Sequence, residues 1–136
     1  MYKKILVPMA LDHGIAEETV KIARTLLASD GEIVALHVHE APNSSATAFI
    51  DEDVIHAAVD RARRKLDVRA KELGDLPHVL LTGHAARTIA DYAGREGFDC
   101  IVMGSHKPGL SDYLLGSTAA RVARHAACAV HIVRAL

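Results

Sequence analysis

The chain predicts an α/β protein, a three-layer domain whose five parallel strands are doubly wound in the order 3-2-1-4-5. Three observations carry this reading. Short apolar runs alternate with stretches of helical periodicity from one end of the chain to the other. The helical stretches are roughly ten residues or longer, which is what a crossover between parallel strands needs. The first run, Ile5-Leu6-Val7, is apolar at consecutive positions, as in a central strand covered on both faces. Right-handed crossovers then leave few topologies, and small five-stranded members commonly take the stated order. At 136 residues the chain forms one domain, residues 1–136, long enough to bury a core without metals or disulfides.

The elements run in sequence. Residues 3–9 form the first strand, and Pro8 must sit at its end because a proline inside would remove a ladder donor. Asp12, His13 and Gly14 make a turn. Residues 15–27 place Ala16, Val20, Ala23 and Leu27 on one helical face, with Glu17 and Glu18 well placed in the first turn. Asp30-Gly31 is read as the stop of that helix, and residues 32–39 as the second strand. Residues 40–48, rich in Pro, Asn, Ser and Thr, read as a loop. Residues 51–73 are again helical, with Ile55, Ala58, Ala62, Leu66, Ala70 and Leu73 in one stripe. Arg61, Arg63, Arg64 and Lys65 fall beside or opposite it, as a solvated face. Strand 77–82, helix 85–95, strand 98–104, helix 117–126 and strand 129–134 complete the alternation. Ser117 or its neighbour is the expected cap of the last helix.

Composition narrows the function classes. Sixteen basic and seventeen acidic side chains give a net charge of -1, so overall electrostatics offer no case for nucleic acid or an anionic membrane as partner. No apolar run approaches the ~20 residues that span a bilayer, and no N-terminal signal pattern is seen. The cytoplasm is the default location. Cys100 and Cys128 lie apart in apolar surroundings, as buried free thiols of a reducing compartment. The terminal strand, with Val130, Ile132 and Val133 and no proline, is a pairing hazard at a sheet edge, and self-association would cover it.

The informative loop runs from Gly104 to Thr118. Strand-to-helix connections in α/β units usually take about 2–6 residues, and this one is much longer, with glycines, a proline and hydroxyls. The predicted topology puts it at the switch point between the first and fourth strands, facing Pro8 to Asp12, where ligands of this architecture bind. A strand, a glycine loop and the bare N-terminus of a helix together suit phosphate, because first-turn peptide N–H groups lack partners within the helix. Lys107 adds a cation, and His106 is a candidate ligand contact. His37 and His39 share a strand face but have no third ligand, so they read as core or crevice-lining side chains and not as a metal site. His125 is accounted for by the helix dipole. There is no Gly-x-x-x-x-Gly-Lys-[Ser/Thr] loop, no Gly-x-Ser-x-Gly elbow, and no carboxylate pair of a phosphoacceptor domain.

The sequence resembles a universal stress protein of the small, single-domain kind over essentially its whole length. The resemblance starts at Lys4-Ile-Leu-Val-Pro8 and continues through Ala35-Leu-His-Val38 and Thr82-Gly83. It is strongest in Asp99-Cys-Ile-Val-Met-Gly-Ser-His106, in Gly116-Ser-Thr-Ala-Ala-Arg-Val-Ala-Arg-His-Ala126 and in Ala129-Val-His-Ile-Val-Arg134. It implies a fold of the adenine nucleotide alpha hydrolase-like type, a cytoplasmic homodimer paired through Ala129 to Arg134, and a bound ATP or related adenine nucleotide, with or without magnesium. By matching position, Gly104, Gly116, Ser117 and Thr118 would hold phosphate, with Met103, His106 and Lys107 beside them. Val38 would pack near adenine, and Pro8, Met9, Ala10 and Asp12 would border base and ribose. Two positions depart from the family pattern Gly-x-x-Gly-x9-Gly-[Ser/Thr]. Lys107-Pro108 replaces the second glycine in a loop one residue shorter, and Ala10 stands where many members have aspartate, leaving Asp12 to substitute. The subgroup with Ser-His-Lys/Arg-Pro carries the same variant loop. No general base is evident, so the implied protein is not an enzyme beyond slow ATP hydrolysis. The alternative is a nucleotide-free dimeric interaction protein of the same family.

Overall fold

The computed structural model describes residues 1–11, 16–40, 51–105 and 115–134. Five strands, β1 (Tyr2–Pro8), β2 (Leu27–His39), β3 (His78–Thr82), β4 (Cys100–Gly104) and β5 (Ala129–Val133), form one sheet in the order β3-β2-β1-β4-β5. Every described pairing is parallel. Among the described residues, helices α1 (Ala16–Leu26), α2 (Glu52–Glu72), α3 (Ala85–Arg95) and α4 (Ser117–His125) make the crossovers.

Alternation along the strands divides the core in two. Ile5, Val7, Ile33, Ala35, Cys100 and Val102 pack with Val20 and Ala23 of α1 and Leu66 and Ala70 of α2. Leu6, Val34, Leu36 and Ile101 pack on the other face with Ala86, Ile89 and Ala93 of α3 and Ala119 and Val122 of α4. Ile5, Leu6 and Val7 are fully buried, as a strand sandwiched between helix layers must be. The expected stripe of α2 is inward at Ala62, Leu66 and Ala70, while Arg61, Arg63, Arg64 and Lys65 face solvent. Asp51 caps this helix, its side chain accepting from the Asp53 N–H at 3.0 Å. Cys100 and Cys128 are free, and burial pushes the Cys100 thiol up to about 11.

The junction of α1 and β2 corrects the sequence reading. Asp30-Gly31 does not stop the helix; α1 ends at Leu26, and both residues lie inside β2. The register shows why. Tyr2 pairs with Leu27, yet Lys4 pairs with Glu32, so β2 carries an irregular excursion against the start of β1. Gly31 is there because a Cβ would come within 2.8 Å of the Lys3 carbonyl oxygen and 2.6 Å of Leu27 Cδ1. The glycine marks a close approach of two backbones. Smaller shifts occur at other ends: β1 closes at Pro8 and not at Met9, β3 opens at His78, and β4 opens at Cys100.

The start of β4 is fastened to β1. The Asp99 carboxylate accepts the Lys3 and Lys4 N–H groups at 2.9 and 3.0 Å. The Lys4 ammonium reaches the Glu96 carbonyl and lies 4.6 Å from the Phe98 ring centroid. This sets the register of the two central strands, whose other ends form the crevice.

Candidate functional site

A cavity of about 510 Å³ opens at the carboxyl ends of the strands, at the switch point between β1 and β4. That volume is in the ordinary range of small-molecule sites. One wall is made by Pro8 at the end of β1 together with Met9, Ala10 and Leu11. The end of β2 contributes Leu36, His37, Val38, His39 and Glu40. Met103, Gly104 and Ser105 of the β4 end face Gly116, Ser117, Thr118 and Ala119 at the start of α4. Of the residues the sequence singled out, Pro8, Met9, Ala10, Val38, Met103, Gly104, Gly116, Ser117 and Thr118 are thus brought together in one cavity. Asp12, His106 and Lys107 lie outside the described residues, as does most of the 40–48 loop.

The geometry of α4 arises from its sequence. Gly116 is its N-cap in extended conformation, has no side chain with which to cap, and is succeeded by no acidic residue in the first turn. The Gly116 carbonyl accepts from Ala120, starting the helical ladder, and the Gly116 N–H donates to the Ser105 carbonyl at 2.7 Å. The Ser105 N–H in turn donates to Val133 at 2.9 Å. Strand end and helix start are therefore locked together, and the first turn of α4 lines the cavity with no side-chain cap from Gly116 itself. That combination of orphan donors and positive helix dipole suits an anion.

The apolar end has its own fastening. Met9 donates its N–H to the Leu36 carbonyl at 2.8 Å and accepts from His37 Nδ1–H at 2.9 Å. The pairing of β1 with β2 is thereby extended one residue past Pro8, by one backbone bond and one side-chain bond. His37 is a crevice-lining histidine, as its strand position suggested. Among the described residues no group of three or more His, Cys, Asp or Glu comes together to hold a metal, and no helix is long and apolar enough to cross a membrane.

Sequence reasoning missed several lining residues. Thr19 of α1 is buried, its hydroxyl donating to the Ala16 carbonyl at 2.9 Å, and only the fold reveals that it borders the cavity. Glu40 looked like the first residue of a loop, yet its carboxylate accepts the Ala85 N–H at 3.1 Å across the mouth. Ala85 and Ile89 bring the start of α3 into the lining. A carboxylate just past a strand end, opposite an uncapped helix start, was the available signal.

The fold and the site together define a doubly wound α/β domain with a crevice at its topological switch point, one wall of which is the start of a helix. The model of the universal stress protein family matches residues 1–134, and the chain belongs to that family. Universal stress protein A homolog 2 of Coxiella burnetii is 32% identical over 139 residues, covering 98% of this chain and 95% of that protein. Among solved structures, protein MJ0577 of Methanocaldococcus jannaschii superposes with a TM-score of 0.84 at 28% identity, covering 100% of this chain and 98% of the other. Two further structures share the fold at 20% identity each. One is a universal stress protein in complex with cAMP, with a TM-score of 0.62 and coverage of 98% and 97%. The other is the Archaeoglobus fulgidus universal stress protein in complex with dAMP, with a TM-score of 0.57 and coverage of 98% and 98%.

Proposed function

We propose that this crevice binds ATP or a related adenine nucleotide, and that the chain acts as a nucleotide-binding stress-response module. The observation that carries the reading is the uncapped N-terminus of α4, with Gly116, Ser117 and Thr118, facing the Gly104 end of β4 inside the switch-point cavity. Phosphate lies there, the base lies against Val38, and Pro8, Met9 and Ala10 border base and ribose. Lys107 and His106 add contacts from the loop, and Asp12 serves the ribose where Ala10 lacks a carboxylate. Magnesium, when present, arrives on the phosphates. Membership of the family supports this, and the cAMP and dAMP complexes are of proteins that share the fold.

Binding, and not turnover, is the activity. The titratable side chains among the described lining residues are His37, His39 and Glu40. His37 is bonded to Met9 and Glu40 to Ala85, which argues against either as a general base for fast hydrolysis. The protein works in the cytoplasm as a homodimer joined through Ala129 to Arg134. Native mass spectrometry and calorimetric titration test the reading together. The expected result is a dimer mass carrying nucleotide and saturable heat with ATP; absence of both at millimolar ATP overturns it and leaves a nucleotide-free interaction protein.

A further inference from the structure

We propose that Glu40 fixes the polarity with which an elongated anionic ligand lies in the cavity, by keeping one of two competing helix N-termini occupied with the protein's own charge. The inference rests on the reading of the cavity as a nucleotide site and names the residue that orients the ligand within it.

Two helices begin at this cavity, α3 at Ala85 and α4 at Ser117. They start alike. Neither His84 nor Gly116 provides a side-chain cap, and neither first turn contains an acidic residue. Each start therefore presents orphan N–H groups and the positive end of a dipole. The two starts are also tied to one another, because Arg121 of α4 donates from Nη1 to His84 Nε2 at 3.0 Å. On backbone geometry alone, a phosphate would have two docking points in one cavity.

Glu40 makes them different. Its Oε1 accepts the Ala85 N–H at 3.1 Å, from the end of β2 two residues beyond Val38. A phosphate approaching α3 must displace a tethered carboxylate and meets its negative charge. At α4 Gly116 offers no cap of its own and the first turn contains no carboxylate. The anionic end of the ligand is directed to Ser117 and Thr118, and the end beside Glu40 has to be uncharged or donor-bearing. A purine amine meets that requirement and a phosphate does not. Glu40 is exposed, so its charge acts through solvent and weakens with salt.

Inorganic triphosphate, followed by amide chemical shifts in the full-length chain, reads the polarity without a base. In the wild type it should shift Ser117 to Ala119 and leave Ala85 unmoved; in Glu40→Ala it should shift both helix starts. Glu40→Gln keeps an acceptor for the Ala85 N–H while removing the charge. It should raise the ratio of ATP to adenosine affinity about threefold or more at low salt and lose that gain at high salt. Equal shifts at Ala85 and Thr118 in the wild type, an unaltered pattern in Glu40→Ala, no shift in either protein, or an unchanged ATP-to-adenosine ratio in Glu40→Gln overturns the inference. Failure of the nucleotide reading is separate: the wild type would then bind no ATP.

Discussion

The Gly116 N–H and the Ser105 carbonyl meet at 2.7 Å, joining the end of β4 to the start of α4 although ten residues separate them in the chain. The bond consumes the donor of the cap residue, Gly116. It also fixes the position of the helix start in the crevice, because Ser105 is itself held by Val133 at the end of β5. A sheet edge, a glycine and a helix start thus become one rigid corner of the crevice.

A charge built into that corner should act as a competitor. Thr118→Glu places a carboxylate in the first turn of α4, where it complements the dipole and stabilises the helix by roughly 0.3–1 kcal/mol. The same carboxylate repels phosphate. The expected outcome is an unchanged or higher melting temperature together with a loss of ATP affinity of at least about tenfold. Thr118→Gln, of equal size and no charge, should lose far less. Equal calorimetric affinities for the two variants would count against phosphate at α4.

Two glycines should respond in opposite directions to the same methyl group. Gly31→Ala pushes a Cβ to within 2.8 Å of the Lys3 carbonyl oxygen, a backbone atom that cannot swing aside, and should destabilise by about 1–3 kcal/mol. Gly94, in the last turn of α3, has nothing within 4 Å of the corresponding position. Gly94→Ala should stabilise by about 0.5–1 kcal/mol through the lower entropy of the unfolded chain. Urea denaturation of both variants checks the pair.

The edge of the sheet offers a sharper test of assembly than removal of apolar surface. Val133 directs its carbonyl to Ser105, so its neighbour Ile132 turns its N–H and carbonyl outward, away from β4. Ile132→Pro therefore removes an edge donor and no bond of the β4–β5 ladder. If the homodimer pairs through this strand, sedimentation should show a dimer for the wild type and for Ile132→Ala, and a monomer for Ile132→Pro. A dimer that survives the proline is held elsewhere.

What the sequence made legible is what periodicity and topology control. The consecutive apolar residues Ile5-Leu6-Val7, all buried in the fold, announced a central strand, and the alternation of elements was enough for the strand order. The order then placed Gly104 opposite Pro8 before any side chain was positioned. What stayed hidden depended on contacts between distant segments. Gly31 has the composition of a helix stop, and only the approach of Lys3 shows that it serves a strand. Thr19 and Glu40 have ordinary neighbours in sequence, and their place in the crevice arises when α1, β2 and α3 converge. Hydrogen bonds such as Glu40 to Ala85, 45 residues apart, leave no periodic trace.

The edge strand β3 is held to α2 by a histidine whose protonation should show in the stability curve. His78 donates from Nδ1 to the Leu76 carbonyl at 2.9 Å, and its Nε2 lies 2.7 Å from the Asp67 carboxylate. Both partners are acceptors, so the arrangement is complete when both ring nitrogens carry protons. The Leu76 carbonyl first, and then Asp67, raise the pKa of His78 above its ordinary 6.5, against a smaller opposing effect of burial. With the folded value raised above the unfolded one, the linked stability is fully present below pH 6.5 and is lost as pH climbs through the folded value. The melting temperature of the wild type should therefore fall, relative to His78→Gln, between about pH 6 and pH 8. Asp67→Asn should shrink that difference without abolishing it, since the Leu76 carbonyl still favours the charged ring. A pH titration of the His78 ring signals by NMR measures the shift directly, and a midpoint at or below 6.5 would remove the basis for the predicted slope.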